Sequence, residues 1–457
     1  MRGISNYRRT LLKIGSFGAT FVAAALVLGG CSYDSSQGVV AALPEYLQGP
    51  SLYADVQAYD ALGVHRTATA VDHQTTKWMT DHLQANGFSV VHKQFSVRQY
   101  FPEETRLQVG NLEIEAEPQW PVIPLSGLLE APLIPWREDG NNEALNGAIA
   151  LVIFPYLRAA NISLPGYRQV IDGARLAGAK AIVAVTEGPS GEIIYKNADL
   201  SIEEIGIPIV LVAGKDKEKL EAAAMQGETA RLVLSGRVEE SAEGFNTLGK
   251  RERTGKWVVV STPQSGWTHA AGERGPGIAL WRALVKWAAE DDSDTSYLFL
   301  SNSGHELGNK GMEEAFDDHG LIPPPEQVKL WIHLGAGIAT YDAEQSSDGL
   351  VLTNKAHSRF LATSLKMWPD AAWHFAGTPG LYPIPIFDGI AGETGVIHAR
   401  GYTSLMGFLG NSAFHHVRKD RADIITGPEL LEEVATALFG FLSDIQNNHG
   451  EEVAAEG

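Results

Sequence analysis

Cysteine is nearly absent: Cys31 is the only one in 457 residues. That excludes intrachain disulfides, thiolate metal sites and a cysteine nucleophile, so any metal must sit on His, Asp and Glu. Basic residues are also short, 36 Lys and Arg against 55 Asp and Glu, for a formal charge of −19. This balance argues against nucleic acid as a partner, because phosphate binding rests on clustered cations. The apolar run from Phe17 to Leu28 is too short to span a bilayer comfortably. Familiar catalytic signatures are missing too. There is no G-x-S-x-G elbow and no Walker loop, and "GAGIAT" lacks the third glycine of the dinucleotide fingerprint. "HELGN" has Asn309 where a zincin helix needs its second histidine.

What is present begins at the N-terminus. "MRGISNYRRTLLKIG" carries Arg2, Arg8, Arg9 and Lys13 and no acid, and the apolar run after it ends in "LGGC". Leu-Gly-Gly-Cys resembles the lipobox of bacterial lipoproteins, and "RRTLLK" resembles a twin-arginine export signal. The resemblance implies a signal peptide over residues 1–30, lipidation of Cys31 and a polar tether over 31–50. Ser32 is not the aspartate that retains such proteins at the inner membrane, which favours the periplasmic face of the outer membrane. An uncleaved anchor would still give an envelope protein.

Beyond the tether, apolar positions Val71, Trp78, Met79 and Leu83 predict a helix that stops at Gly87, and "FSVVHKQFSV" alternates like a strand. Proline clusters near residue 118 mark a boundary. "GAIALVIF", "KAIVAVT" and "IPIVLVAG" are buried-strand runs, with the helix "YRQVIDGARLAGA" between the first two. After residue 245, "KWVVVST", "SYLFLSN" and "VKLWIHLGAG" are strands. "PGIALWRALVKWAAE", "HELGNKGMEEAFDDHG", "SRFLATSLKMW" and "PELLEEVATALFGFLSDIQ" are helices. The expected fold class is α/β: strands that are apolar throughout and alternate with helices imply a mainly parallel sheet covered on both faces. Chemistry in such sheets gathers at the carboxyl ends of the strands.

Polar residues cluster at those ends: Ser265 and Glu273 after the first strand, His305 and Glu306 after the second, and His333 in the third. "GNSAFHHVRKDRAD" adds His415, His416, Asp420 and Asp423. Singly, each has an ordinary reading: a hydrogen-bonded loop histidine, a salt-bridged Glu273–Arg274 turn, a pair of surface imidazoles.

Taken together, the layout resembles the M28 family of zinc aminopeptidases and carboxypeptidases, and residues 145–215 resemble the protease-associated domain inserted into several exopeptidases. The resemblance implies a catalytic domain over 51–117 and 241–447, an inserted domain over 118–240 and a tail over 448–457. M28 enzymes hold two zinc ions. The His-x-Asp ligands of the first match Pro263 and Ser265, and its "N-x-D" aspartate matches Gly335, none of which can do that work. For the second ion, the bridging aspartate matches Glu273, the glutamate matches Glu306, the histidine matches His416, and Asp420 stands where the family has a supporting acid. One zinc on Glu273, Glu306 and His416 is therefore expected, with a fourth position for water. His305 takes the general-base position, and His333 or Ser265 contacts the substrate.

This implies an exported, lipid-anchored hydrolase of a peptide or amide bond. The alternatives are a non-catalytic envelope protein that binds peptides or a partner, a single-zinc enzyme similar to glutaminyl cyclases, and a metal-independent enzyme using His305 with a serine.

Overall fold

Two strands, Ser89–Val109 and Thr229–Arg251, run antiparallel from the pair Ser89↔Lys250 to the pair Val109↔Ala230. The computed structural model describes residues 42–157, 161–199, 202–318, 320–346 and 349–455, and no side chain for 202 or 446–455. Cys31, the expected signal peptide and most of the tether lie outside the described residues. Among the described residues no helix is long and apolar enough to cross a membrane.

The local elements follow from their residues. The helix Ala70–Ala85 starts at Thr69, whose side chain accepts from the Asp72 N–H, and the chain leaves it through Gly87 at φ 80°. Helix Gly275–Glu290 opens with Pro276, where a missing N–H costs nothing. It is buried on most sides: Ile278, Leu280, Trp281, Leu284 and Val285 all lie in one core with Leu330, Ile332, Leu431 and Phe441.

The mixed sheet runs in the order Leu381–Pro385, Arg359–Thr363, Leu405–Leu409, Val328–His333, Trp257–Pro263, Ser296–Asn302 and Thr229–Arg251. It continues through Leu129–Pro135, Ile149–Phe154, Ala181–Thr186, Ile209–Ala213 and Ala116–Pro118. The second half has a core of its own, built from Leu133, Ile149, Ile171, Val183, Leu211 and their neighbours. The expected α/β class with a largely parallel, helix-flanked sheet is what the structure shows.

Two helices differ from expectation. In "SRFLATSLKMW", Arg359–Thr363 is a strand, parallel to Leu381–Pro385 and antiparallel to Leu405–Leu409, and the helix begins only at Trp368. Pairing on both sides, with buried Arg359 donating from Nη1 to the carbonyls of His357 and Pro379, overrides local helix propensity. In "HELGNKGMEEAFDDHG" the helix starts at Lys310, because Gly304, Gly308 and Asn309 all take positive φ and turn the chain away from helical geometry. The last helix runs from Pro428 to Ala455, through much of the expected tail.

Three parallel strands position the site. Asn302 pairs with Pro263 and His333 with Ser261, so the carboxyl ends of the strands ending at Pro263, Asn302 and His333 lie side by side.

Candidate active site

The loops leaving those strand ends carry Ser265, Glu273 and Arg274 from the first, His305 and Glu306 from the second, and continue the chain beyond His333 from the third. Glu273, Arg274, Glu306, His333 and His416 are all buried. His305 and His415 are the partly open members, with side chains 16% and 17% exposed.

Glu273, His415 and His416 form one group. Their ligand atoms lie within 4.8 Å of one another, the only such trio of His, Asp and Glu among the described residues that fits a metal ion. Glu273 Oε1 is 3.3 Å from His416 Nε2, and Glu273 Oε2 is 3.9 Å from His415 Nδ1. The two imidazoles stack at 3.9 Å. His416 Nδ1 lies 3.0 Å from the carbonyl of Tyr195, which fixes the proton on Nδ1 and turns the Nε2 lone pair toward Glu273. His416 Nε2 is buried and makes no hydrogen bond, while Glu273 Oε1 is ion-paired with Arg274 Nη2 at 2.8 Å. A buried imidazole lone pair aimed at a carboxylate calls for a cation or a proton beside it. The donor set of one carboxylate and two imidazoles suits zinc. A ring nitrogen anchored on a carbonyl is how metal-binding histidines are oriented.

Backbone strain accompanies this arrangement. His416 has φ 61° and Ala270, in the loop before Glu273, has φ 50°. Both are left-handed conformations that a non-glycine residue adopts only when its surroundings demand it. Asp420 supports the loop, accepting from the N–H groups of Gly272 at 2.6 Å and Glu273 at 3.1 Å. Burial and the neighbouring Glu273 push its carboxyl up to about 8. Burial alone would raise Glu273 too, but Arg274 and His416 beside it hold it well below the usual carboxylate range.

Glu306 faces elsewhere. Arg274 Nη2 donates to its Oε1 at 2.8 Å, and Ser265 Oγ donates to its Oε2 at 2.7 Å. Arg274 Nη2 is equally close, 2.8 Å, to Glu273 Oε1, and its Nε donates to the Ser265 carbonyl at 2.9 Å. Of the expected ligands, then, Glu273 and His416 come together with His415, while Glu306 and Ser265 join Arg274. In the sequence Arg274 looks like part of a salt-bridged turn, and His415 like a surface imidazole.

Beside His305 and His333 lies a further residue that the sequence does not mark. Glu393, from helix Gly392–Ala399, is buried and accepts from Asn302 Nδ2 at 2.7 Å. Its Oε1 is also 3.0 Å from His305 Nδ1, and its Oε2 is 3.8 Å from His333 Nε2. Burial would raise this carboxyl, but the hydrogen bond from His305 and the nearby imidazoles lower it. His333 itself bonds Ser261 Oγ through Nδ1 at 2.9 Å, and burial lowers it to about 4, so it is neutral at pH 7. No motif marks Glu393 in "DGIAGETG"; a lone acid beside glycines carries no signal in one sequence.

At Gly335 a Cβ would meet the Phe408 carbonyl oxygen at 2.2 Å, so no side chain of any kind fits without moving backbone.

No family model matches the sequence, and no curated protein matches it either. Solved structures do match. A zinc aminopeptidase from Bacillus subtilis superposes with a TM-score of 0.67 at 19% identity, over 87% of this chain and 95% of its own. A peptidase M28 precursor from Shewanella amazonensis gives 0.64 at 15% identity, over 86% and 94%. An aminopeptidase from Aneurinibacillus sp. strain AM-1 gives 0.61 at 15%, over 88% and 94%. At such identities the likeness is one of architecture, and on that basis the chain has the fold of the M28 zinc aminopeptidases.

Proposed function

We propose that this chain is an exported, lipid-anchored hydrolase of a peptide or amide bond that works with one zinc ion held by Glu273, His415 and His416. The observation that carries the reading is the trio Glu273, His415 and His416, whose ligand atoms lie within 4.8 Å of one another, with buried His416 Nε2 making no hydrogen bond. Fold alone would not choose a chemistry. When bound, zinc would supply Lewis acidity for the scissile carbonyl and a lowered pKa for the attacking water. The chain's own part is proton handling and orientation. His305, with Nδ1 on Glu393, presents Nε2 to take the water's proton, and the Glu393 carboxylate stabilises the imidazolium that results. His333, neutral and anchored on Ser261 beside Glu393, would orient the substrate. Residues 118–240 are read as the inserted domain that seats Tyr195 against His416. Cys31 is read as the lipid attachment point, facing the protein into the cell envelope.

Metal analysis of purified protein tests this, together with a screen of aminoacyl, peptidyl and N-acyl amides with and without added zinc. One zinc per chain and a zinc-dependent hit are expected. Folded protein that takes up no zinc and cleaves nothing would overturn the reading. It would favour a second one, a non-catalytic peptide binder, which the occupation of the site by Arg274 supports.

A further inference from the structure

We propose that the Arg274 guanidinium is a built-in cation that occupies the notch between Glu273 and Glu306, removes Glu306 from the ligand set and limits the site to one ion, with His415 as the third ligand. This rests on the zinc reading above.

The geometry is specific. Arg274 is fully buried, and one nitrogen, Nη2, stands 2.8 Å from a carboxylate oxygen of each glutamate. An ion bound by both of those oxygens at roughly 2.0–2.2 Å would have to share the notch with that nitrogen. Two positive centres cannot share it, and the guanidinium is the one that cannot leave. Its Nε is tied to the Ser265 carbonyl, and Arg274 itself directly precedes helix Gly275–Glu290. It also cannot discharge, because arginine keeps its proton in proteins and the surrounding carboxylates strengthen that hold.

Glu306 is committed on both oxygens, to Arg274 and to Ser265, and Ser265 Oγ is itself held by the Gly304 N–H at 3.0 Å. A buried guanidinium needs such a counter-charge, and supplying it is the work the geometry gives Glu306. On the other side, His416 Nε2 is left without a hydrogen-bond partner, and because Arg274 pairs with Glu273 Oε1, the oxygen open to the imidazoles is Oε2. His415 completes that side, with Nδ1 3.9 Å from Glu273 Oε2. The ion is displaced from the Glu306 face of Glu273 to its imidazole face.

The test is zinc titration of metal-stripped full-length protein against a chelating indicator, with thermal melting to confirm that each variant is folded. Wild type should bind one equivalent. Glu306→Gln should still bind one, with affinity changed less than about tenfold, whereas His415→Ala should weaken binding by more than the roughly 10–100-fold typical of a supporting residue. Wild type that binds two equivalents, or one equivalent that survives His415→Ala unchanged, overturns this assignment and leaves the zinc reading standing. Wild type that binds none overturns both. Should Glu306→Gln fail to fold, the wild-type stoichiometry and the His415→Ala titration still decide the matter, since His415 is partly exposed and its loss leaves the buried ion pairs intact.

Discussion

Tyr195 and His416 are joined twice: the Tyr195 N–H donates to the His416 carbonyl at 3.1 Å, and the His416 ring nitrogen Nδ1 meets the Tyr195 carbonyl at 3.0 Å. A few residues on, the Ala198 N–H donates to the carbonyl of Glu306 at 2.9 Å. The connection between strands Ala181–Thr186 and Ile209–Ala213 thus holds two residues of the candidate site.

Trp267 fastens that stretch. Its Nε1 donates to Asn197 Oδ1 at 2.8 Å, and its ring stacks on Tyr195 and packs against Trp120. Trp267→Ala should destabilise the protein by about 3–5 kcal/mol and lower its zinc content at the same time. Trp267→Phe should keep most of the stability. Urea unfolding and metal analysis on the two variants check this; a Trp267→Ala protein with wild-type zinc content would mean that the anchoring does not reach His416.

Glu393 should matter to turnover through His305. With any substrate found in the amide screen, Glu393→Gln is expected to lower kcat by about 10²–10⁴-fold with little change in KM. His305→Ala should do the same, and the double variant should be no worse than either single one, because the two groups act as a unit. Additive losses would show that they act separately.

Lys196 is buried and has no carboxylate partner among the described residues, its Nζ lies 5.2 Å from the ring centre of Tyr167, and burial lowers it to about 7. Between pH 7 and the unfolded value near 10.4, the unfolded chain holds a proton that the native chain has released, so stability rises with pH across that window. The contribution is absent below pH 7, where both states are protonated, and reaches its plateau above the unfolded value. Lys196→Met should remove this rise, roughly 1.4 kcal/mol per pH unit, and stabilise the protein at neutral pH. Urea midpoints at pH 7, 8 and 9 for the two proteins measure it.

Gly335→Asp should not recreate a metal ligand. With the Phe408 carbonyl 2.2 Å from any Cβ, the variant should lose at least 1–3 kcal/mol, the order expected for overpacking, and zinc stoichiometry should not increase. Calorimetry and metal analysis would show whether the backbone yields instead.

Much of the frame was legible because buried parallel strands are written as uninterrupted apolar runs: "WVVVSTP", "SYLFLSN" and "VKLWIH" lie adjacent in the sheet. The rule that loops at their carboxyl ends carry chemistry brought Ser265, Glu273, His305, Glu306 and His333 into view. What stayed hidden was set by contacts that spacing does not encode. Glu393 reaches Asn302 across 91 positions of sequence. The companionship of His415 with Glu273 depends on the left-handed turn at His416. Arg274 looked like the partner of its neighbour Glu273, and nothing local shows that the same nitrogen also grips Glu306. The strand Arg359–Thr363 reads as helix until its two neighbours in the sheet are known.

The antiparallel ribbon of Ser89–Val109 and Thr229–Arg251 has a mechanical consequence. Twenty-one residues of strand extend roughly 70 Å at about 3.4 Å per residue, and the ribbon is interrupted only by irregularities at Val97/Gln99 and Pro102/Glu104. Such a ribbon couples its two strands at every paired residue, so neither can slip by one residue without turning its side chains to the opposite face.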